Sequence, residues 1–333
     1  MLKVGLIGNG GIAGAHRKAY ARIAAEGGNV VLEACCDIEP ERLEGLDGLR
    51  LYTDVDEMLA KEKGKLDFVD ICVPTYLHAE VAIKAMEAGF HVLSEKPMER
   101  NTEQAQRMIE AAERTGKKLM IGYCNRFYDA TKAMRDIILS GELGSVRSAD
   151  FYRENDTPLP MGWKDWFHDG KLSGGAMLDL HIHDVDMIRW MFGMPKAVSA
   201  VAGSYVTKGG YDTMSVNYIY DDGVYVHASC SWILAENKYN TRSFRVNLEK
   251  GYVYIDRSPG RETFVKVMND GTVTDLSEKL PFQAYYNEIV YFADCIVNEK
   301  PVTECLPEES IDSVKIVLAE IESADGDGVK VTL

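Results

Sequence analysis

The segment that most constrains this 333-residue chain lies at its start. Gly8-Asn9-Gly10-Gly11-Ile12-Ala13 stands between an apolar, strand-like run, Leu2 to Ile7, and a stretch in which Ile12, His16, Ala19, Tyr20 and Ile23 recur at helical spacing. The next strand-like run, Val30 to Cys36, ends at Asp37. Strand, glycine loop, helix, strand and acid in that order predict a β-α-β unit on a parallel sheet. There the first glycine turns tightly, the second admits a ligand to the backbone, and Ala13 lets the helix pack closely. The N–H groups and positive dipole end of that helix suit a pyrophosphate, so Gly8, Gly10, Gly11 and Ile12 are expected to bind a dinucleotide.

Asp37 is placed to accept two ribose hydroxyls, whereas the 2′-phosphate of NADP would meet its negative charge. The following residue is Ile38, neither basic nor hydroxylated, so NAD is expected over NADP. Arg42, within reach of the adenine ribose, leaves the NADP alternative open.

The alternation continues with a buried strand from Phe68 to Val73, a helix from Ala79 to Ala88 closed by Gly89, and a strand from His91 to Ser94. A helix opening at Asn101 or Thr102 turns Ala105, Met108, Ile109 and Ala112 inward and stops at Gly116, before a strand from Lys118 to Gly122. These elements predict an α/β, N-terminal Rossmann domain over residues 1–122. After Tyr123 come one helix, about Asp129 to Ser140, and alternating strands between about Lys196 and Val267. Tyr218, Tyr220 and Tyr225 flank the hairpin turn Asp221-Asp222-Gly223. Residues 123–333 are therefore expected to form an α+β domain with a mainly antiparallel open sheet, for substrate and oligomerisation. A C-terminal segment, about 307–325, is expected to pack back on the first domain.

The formal charge of −15, with acids scattered through periodic segments, argues against nucleic acid and anionic membranes as partners. No apolar run approaches the roughly 20 residues of a membrane span, and no signal-like N-terminus is present. Seven cysteines without a C-x-x-C pair read as reduced core thiols, and the expected location is the cytoplasm.

Three further segments carry a resemblance. They are Pro74-Thr75-Tyr76-Leu77-His78, Glu95-Lys96-Pro97, and the run from Gly174 to Asp186 that contains Asp179-Leu180-His181-Ile182-His183. Gly122-Tyr123-Cys124-Asn125-Arg126-Phe127 is a weaker fourth. With the glycine loop, in this order, the chain resembles the Gfo/Idh/MocA oxidoreductases, a family that includes glucose-fructose oxidoreductase and inositol dehydrogenases. The resemblance implies a site lined by Lys96, Asp179 and His183, with Pro74, His78, Glu95 and Lys96 near the cofactor and a cis peptide before Pro97. His181 departs from the family pattern, where many relatives have glycine, and adds an imidazole near the site.

Oxidising a secondary alcohol needs a hydride acceptor and a base titrating near neutrality, and histidine meets the second need. Asp179 and His183 are i and i+4 in a segment whose Leu178, Ile182, Val185 and Phe192 have helical spacing, which puts acid and imidazole on one face. Lys96 is expected to polarise the oxygen where alkoxide charge develops and to relay its proton. Trp163 and Trp166, in the loop from Asp156 to Ser173, are candidates to stack on sugar C–H faces, with core packing as the alternative. Arg126, Arg153 and His181 are further substrate candidates, and a surface role is the alternative for both arginines.

The expected activity is NAD-dependent hydride transfer with a secondary alcohol of a sugar, inositol or similar polyol. Two alternatives stay open: a closed redox cycle on tightly bound NAD, as in an epimerase or a glycosidase-like reaction, and a non-catalytic NAD-dependent sensor. His181-Ile182-His183 is not expected to hold a metal, because on a helix residues two apart point to nearly opposite sides. An exposed sheet face in the second half predicts a homodimer or homotetramer.

Overall fold

The computed structural model describes residues 1–156, 161–234 and 241–333. It divides into two units. The first comprises Met1–Phe127 and Gln283–Ile311, the second Tyr128–Phe282 and Asp312–Leu333. The first unit ends its opening segment at Phe127, and the segment it takes from the C-terminal part, 283–311, overlaps the start of the expected 307–325.

In the first unit the glycine loop joins β1 (Leu2–Ile7) to α1 (Ala13–Ala25), followed by β2 (Val30–Cys36), β3 (Arg50–Tyr52) and α2 (Val55–Glu62). β4 (Phe68–Ile71), α3 (His78–Ala88), β5 (His91–Glu95), α4 (Thr102–Thr115) and β6 (Leu119–Gly122) complete the alternation. The six strands are parallel in the order β3-β2-β1-β4-β5-β6. This is the doubly wound order, in which the chain reverses direction between β1 and β4 and leaves a crevice at the carboxyl ends of those strands.

Local chemistry sets the element ends. Asn101 caps α4 by accepting from the Gln104 N–H at 2.9 Å, and Gly116 closes it in the left-handed region. The stripe on α1 is buried at Ala13, His16, Ala19, Tyr20 and Ile23.

In the second unit come α5 (Asp129–Ser140), β7 (Val146–Asp156), α6 (Gly170–Ser173), a wider π-type turn over Met177–His181, and α7 (Ile182–Phe192). Strands β8 (Ala197–Gly203), β9 (Thr213–Ile219), β10 (Tyr225–Leu234), β11 (Thr241–Leu248), β12 (Gly251–Ser258), β13 (Arg261–Met268) and β14 (Val273–Asp275) follow. After α8 (Ala284–Val297) and α9 (Pro307–Asp325), β15 (Val331–Thr332) adds to β8. Among the described residues the sheet runs β14-β13-β12-β11-β7-β10-β9-β8-β15, antiparallel except for the β7–β10 pair. The β9–β10 hairpin turns at Asp221-Asp222-Gly223 as expected, with Ile219 opposite Tyr225 and Gly223 at φ 77°.

Alternation along β7 and β10 separates two faces. Ala149, Phe151, Val226, Ala228, Cys230 and Trp232 are buried, while Tyr152, Tyr225 and Ile233 are exposed. α8 belongs to the first unit, where it packs on α1, the Tyr286 hydroxyl donating to Glu26 at 2.8 Å, and on β4, where Phe292 meets Phe68 edge-on at 5.4 Å. All seven cysteines are buried, as expected of core thiols. Burial pushes the thiols of Cys35 and Cys36 up to about 12, which keeps them protonated and inert. No described helix is long and apolar enough to cross a membrane.

Candidate active site

The glycine loop sits at the carboxyl end of β1, beside the exit of β4. Gly8 has φ 90°, and a Cβ there would lie 2.6 Å from the Cys72 carbonyl oxygen, so only glycine fits between these two strand exits. At Gly11 a Cβ would meet nothing within 4 Å, and at Gly10 the nearest atom is Arg42 Nη1 at 3.6 Å. The loop is thus closed on its strand side and open on the other. Ala13 is fully buried, α1 has no side-chain cap, and no acid stands in its first turn, so its positive end is not neutralised from within.

Asp37 follows β2 and is nearly buried. One carboxylate oxygen accepts from the Asn9 N–H at 2.7 Å and the other from the Glu39 N–H at 2.9 Å. Each keeps a lone pair for a ribose hydroxyl. Asn9 also donates through Nδ2 to the Arg42 carbonyl at 2.5 Å, while its Oδ1 is buried without a partner. Arg42 Nη1 lies 3.8 Å from Asp37. Cradle, uncapped helix end and terminal acid fit a dinucleotide.

Pro74 precedes the short turn Thr75–Leu77. His78 is buried, with Nδ1 2.8 Å from the Pro97 carbonyl and Nε2 3.0 Å from that of Val73; burial lowers its pKa. The ring therefore ties the loop after β4 to the segment after β5, and both nitrogens face main chain. The Lys96–Pro97 peptide is cis, as the resemblance implied. Glu95, at the end of β5, accepts from the Lys96 N–H at 3.1 Å, and Lys96 itself is half-buried.

In the second unit, the expected helix carrying Asp179 and His183 begins as the π-type turn and becomes α-helical at Ile182. Such widened turns are frequent at functional sites. Leu178, Leu180, His181, Ile182 and Asp184 are buried, whereas Asp179 and His183 are partly exposed, so the two residues stand out from an otherwise sealed segment. Gly175 enters it at φ 69°, where a Cβ would lie 2.7 Å from the Tyr211 carbonyl oxygen.

Three substrate candidates, Arg126, Arg153 and His181, are buried, so the surface alternative for the two arginines fails. Arg153 pairs with Asp184 through two hydrogen bonds, at 2.8 and 2.5 Å, both residues being buried. Arg126 is buried in an ion pair with Glu309. His181 faces Glu320 at 3.2 Å and the Tyr218 hydroxyl at 3.2 Å; burial would lower its pKa, but the Glu320 charge raises it above the ordinary value. Each is a polar group paired with an acid, Asp184 and Glu320 being buried and Glu309 partly exposed, and sequence spacing does not reveal these partners. Trp163 and Trp166 are half-buried, Lys164 lying 4.2 Å over the first ring and Phe167 4.1 Å from the second. Residues 157–160 of the expected Pro-rich loop lie outside the described residues.

Sequence reading missed one group altogether. His16, Asp70, Cys72, Glu95 and Glu288 form a buried cluster in which two sets of three, both including His16, are spaced closely enough to hold a metal ion. His16 carries the spacing of a packing residue, and of its partners only Glu95 is marked, by the Glu95-Lys96-Pro97 motif, with nothing local to link it to His16.

A parallel sheet in doubly wound order with a glycine cradle at its switch point defines a dinucleotide-binding α/β protein. Residues 2–123 match the model of the oxidoreductase family with an NAD-binding Rossmann fold, and residues 131–254 match the GFO/IDH/MocA C-terminal domain. The chain belongs to the Gfo/Idh/MocA oxidoreductase family, and its first domain is an NAD-binding Rossmann domain. It is similar to the inositol 2-dehydrogenase of Rhizobium meliloti (strain 1021), 29% identical over 89% of this chain and 88% of that protein. It is also similar to the glucose-6-phosphate 3-dehydrogenase of Bacillus subtilis (strain 168), 30% identical over 58% of this chain and 54% of the relative. With several other curated relatives the chain likewise spans less than two thirds of their length. Among solved structures, the WlbA dehydrogenase of Bordetella pertussis in complex with NADH and UDP-GlcNAcA superposes with a TM-score of 0.82 at 25% identity, covering 100% of this chain and 98% of that one.

Proposed function

We propose that this protein is an NAD-dependent dehydrogenase acting on a secondary alcohol of a sugar, inositol or similar polyol. The observation that carries the proposal is the placement of Asp179 and His183 as the partly exposed polar pair of a buried, widened helical turn, in a chain whose first domain is built for NAD. Relatives named as inositol and glucose-6-phosphate dehydrogenases support the substrate class.

When bound, NAD supplies the hydride acceptor. His183 takes the hydroxyl proton as general base, and Asp179 orients its ring and stabilises the imidazolium. Lys96 gives a hydrogen bond to the oxygen as alkoxide charge develops and relays the departing hydroxyl proton toward His183. Trp163 and Trp166 offer aromatic faces to the substrate's C–H surfaces. Asp37 reads the ribose hydroxyls and favours NAD over NADP.

The working form is a homo-oligomer in the cytoplasm, held through the open face of the second sheet, where Tyr152, Tyr225 and Ile233 are exposed. The test is a panel of inositols, aldoses, amino sugars and glycosides incubated with NAD and followed by NADH absorbance. Net NADH with at least one member is expected. Substrate conversion without net NADH would replace the proposal with a closed redox cycle, and NAD binding without conversion of any member would replace it with a sensor.

A further inference from the structure

Behind the peptide that joins Glu95 to Lys96 lies the buried cluster that the proposed chemistry does not use. His16, in the first turns of α1, has no exposed surface. Its Nδ1 is 2.7 Å from an Asp70 carboxylate oxygen and its Nε2 is 2.9 Å from one of Glu95. A neutral imidazole carries one N–H and one bare nitrogen, and a carboxylate only accepts, so a neutral ring would set a lone pair against an oxygen on one side. Two N–H groups satisfy both.

The surroundings agree. Burial, the largest single influence, would lower the pKa of His16, but the charges and hydrogen bonds of Asp70 and Cys72 together hold the ring well above its ordinary range. The Tyr20 hydroxyl donates to the same Asp70 oxygen at 2.8 Å, and Cys72 Sγ lies 3.7 Å from the other. From α8, Tyr285 stands with its ring 5.2 Å from the imidazole, and Glu288 is wholly buried with neither carboxyl oxygen hydrogen-bonded. Burial raises the pKa of Glu288 well above the carboxylate range, which disfavours its charged form.

Glu95 is the link outward. One of its oxygens meets His16 while the other accepts from the Lys96 main-chain N–H at 3.1 Å. We propose that His16 is a positioning residue: a buried imidazolium, anchored on Asp70, that grips Glu95 and through it the main chain of Lys96. The proposal rests on the role given above to Lys96. Stability alone is a weak reason for such a cluster, because apolar replacements of buried ion pairs are often as stable. Holding a reacting group within a fraction of an ångström is a sufficient one.

Two near-isosteric substitutions separate the ring's two bonds. His16→Asn keeps a donor at the position of Nδ1, toward Asp70, and loses the one toward Glu95; His16→Gln keeps a donor at the reach of Nε2 and loses the one toward Asp70. The expected result is a kcat for the Asn variant lower than that of the Gln variant by about tenfold or more, with similar NAD affinity and similar melting temperatures, as for a misplaced catalytic group. Equal losses in both, tracking stability, would overturn the proposal. Lys96→Ala measured alongside keeps the two claims apart: wild-type turnover there removes the premise, whereas an impaired Lys96→Ala with equal Asn and Gln variants removes only the role of His16. If neither variant folds, nitrogen-15 NMR of the wild-type NAD complex decides. Both ring nitrogens of His16 should stay protonated through the pH range in which an ordinary histidine loses its charge. A bare ring nitrogen, or stoichiometric zinc in the purified protein, contradicts an imidazolium.

Discussion

The main-chain N–H of Asn9 donates to the Asp37 carboxylate across 2.7 Å, so the glycine loop and the acid that follows β2 form one piece. A change at Asp37 therefore acts on the ribose and on the loop together. Asp37→Ala is expected to weaken NAD binding by roughly tenfold or more, the scale of a charge-assisted hydrogen bond, and to narrow the preference over NADP. Fluorescence titration with both cofactors checks this, and an unchanged preference would show that Asp37 does not read the ribose.

Arg153 and Asp184 are mutually enclosed, at 1% and 0% exposure. Removing one partner of such a pair strands the other charge in the interior, at a cost of about 3 kcal/mol or more. Asp184→Ala should lower the chemical-denaturation midpoint of the second unit accordingly. A midpoint within error of wild type would mean that the guanidinium finds water or another acceptor.

Burial, the largest single influence, would lower the pKa of His181, but the charge and hydrogen bond of Glu320, with the charge of Asp184, together raise it above its ordinary 6.5. A group whose folded-state pKa is raised contributes stability that is full below the unfolded value and is lost as pH rises through the folded one. The stability advantage of wild type over Glu320→Gln should therefore be largest below about pH 6.5 and shrink at higher pH. Urea denaturation across that range measures it, and a pH-independent difference would assign the histidine no change of charge.

Much of the first unit was legible because local signals coincide with its topology. The run from Val30 to Cys36, the stripe on α1 and the Asn101 cap fall where expected. β3 and α2 escaped: three residues are too few for a period, and the cap from Asp54 to the Glu57 N–H was not weighed as a helix start. In the second unit, Asp179 and His183 could be read as one face of a helix, but the π-type turn has no compositional mark. Arg126, Arg153 and His181 are drawn to acids 183, 31 and 139 positions away, and His16 to acids 54 and 79 positions away. Only the tertiary fold brings such pairs together. That α8 belongs to the first unit was not legible, because both C-terminal helices are amphipathic and nothing local distinguishes which unit each covers.

The central claim is that Lys96 and His183 carry the chemistry while NAD is held elsewhere, by the glycine loop and Asp37. The most direct measurement is kcat together with the NAD dissociation constant for Lys96→Ala and His183→Ala. A fall in kcat of about 10² or more in each, with NAD binding close to wild type, is the predicted result for acid–base groups. Turnover near wild type in both variants would contradict the account.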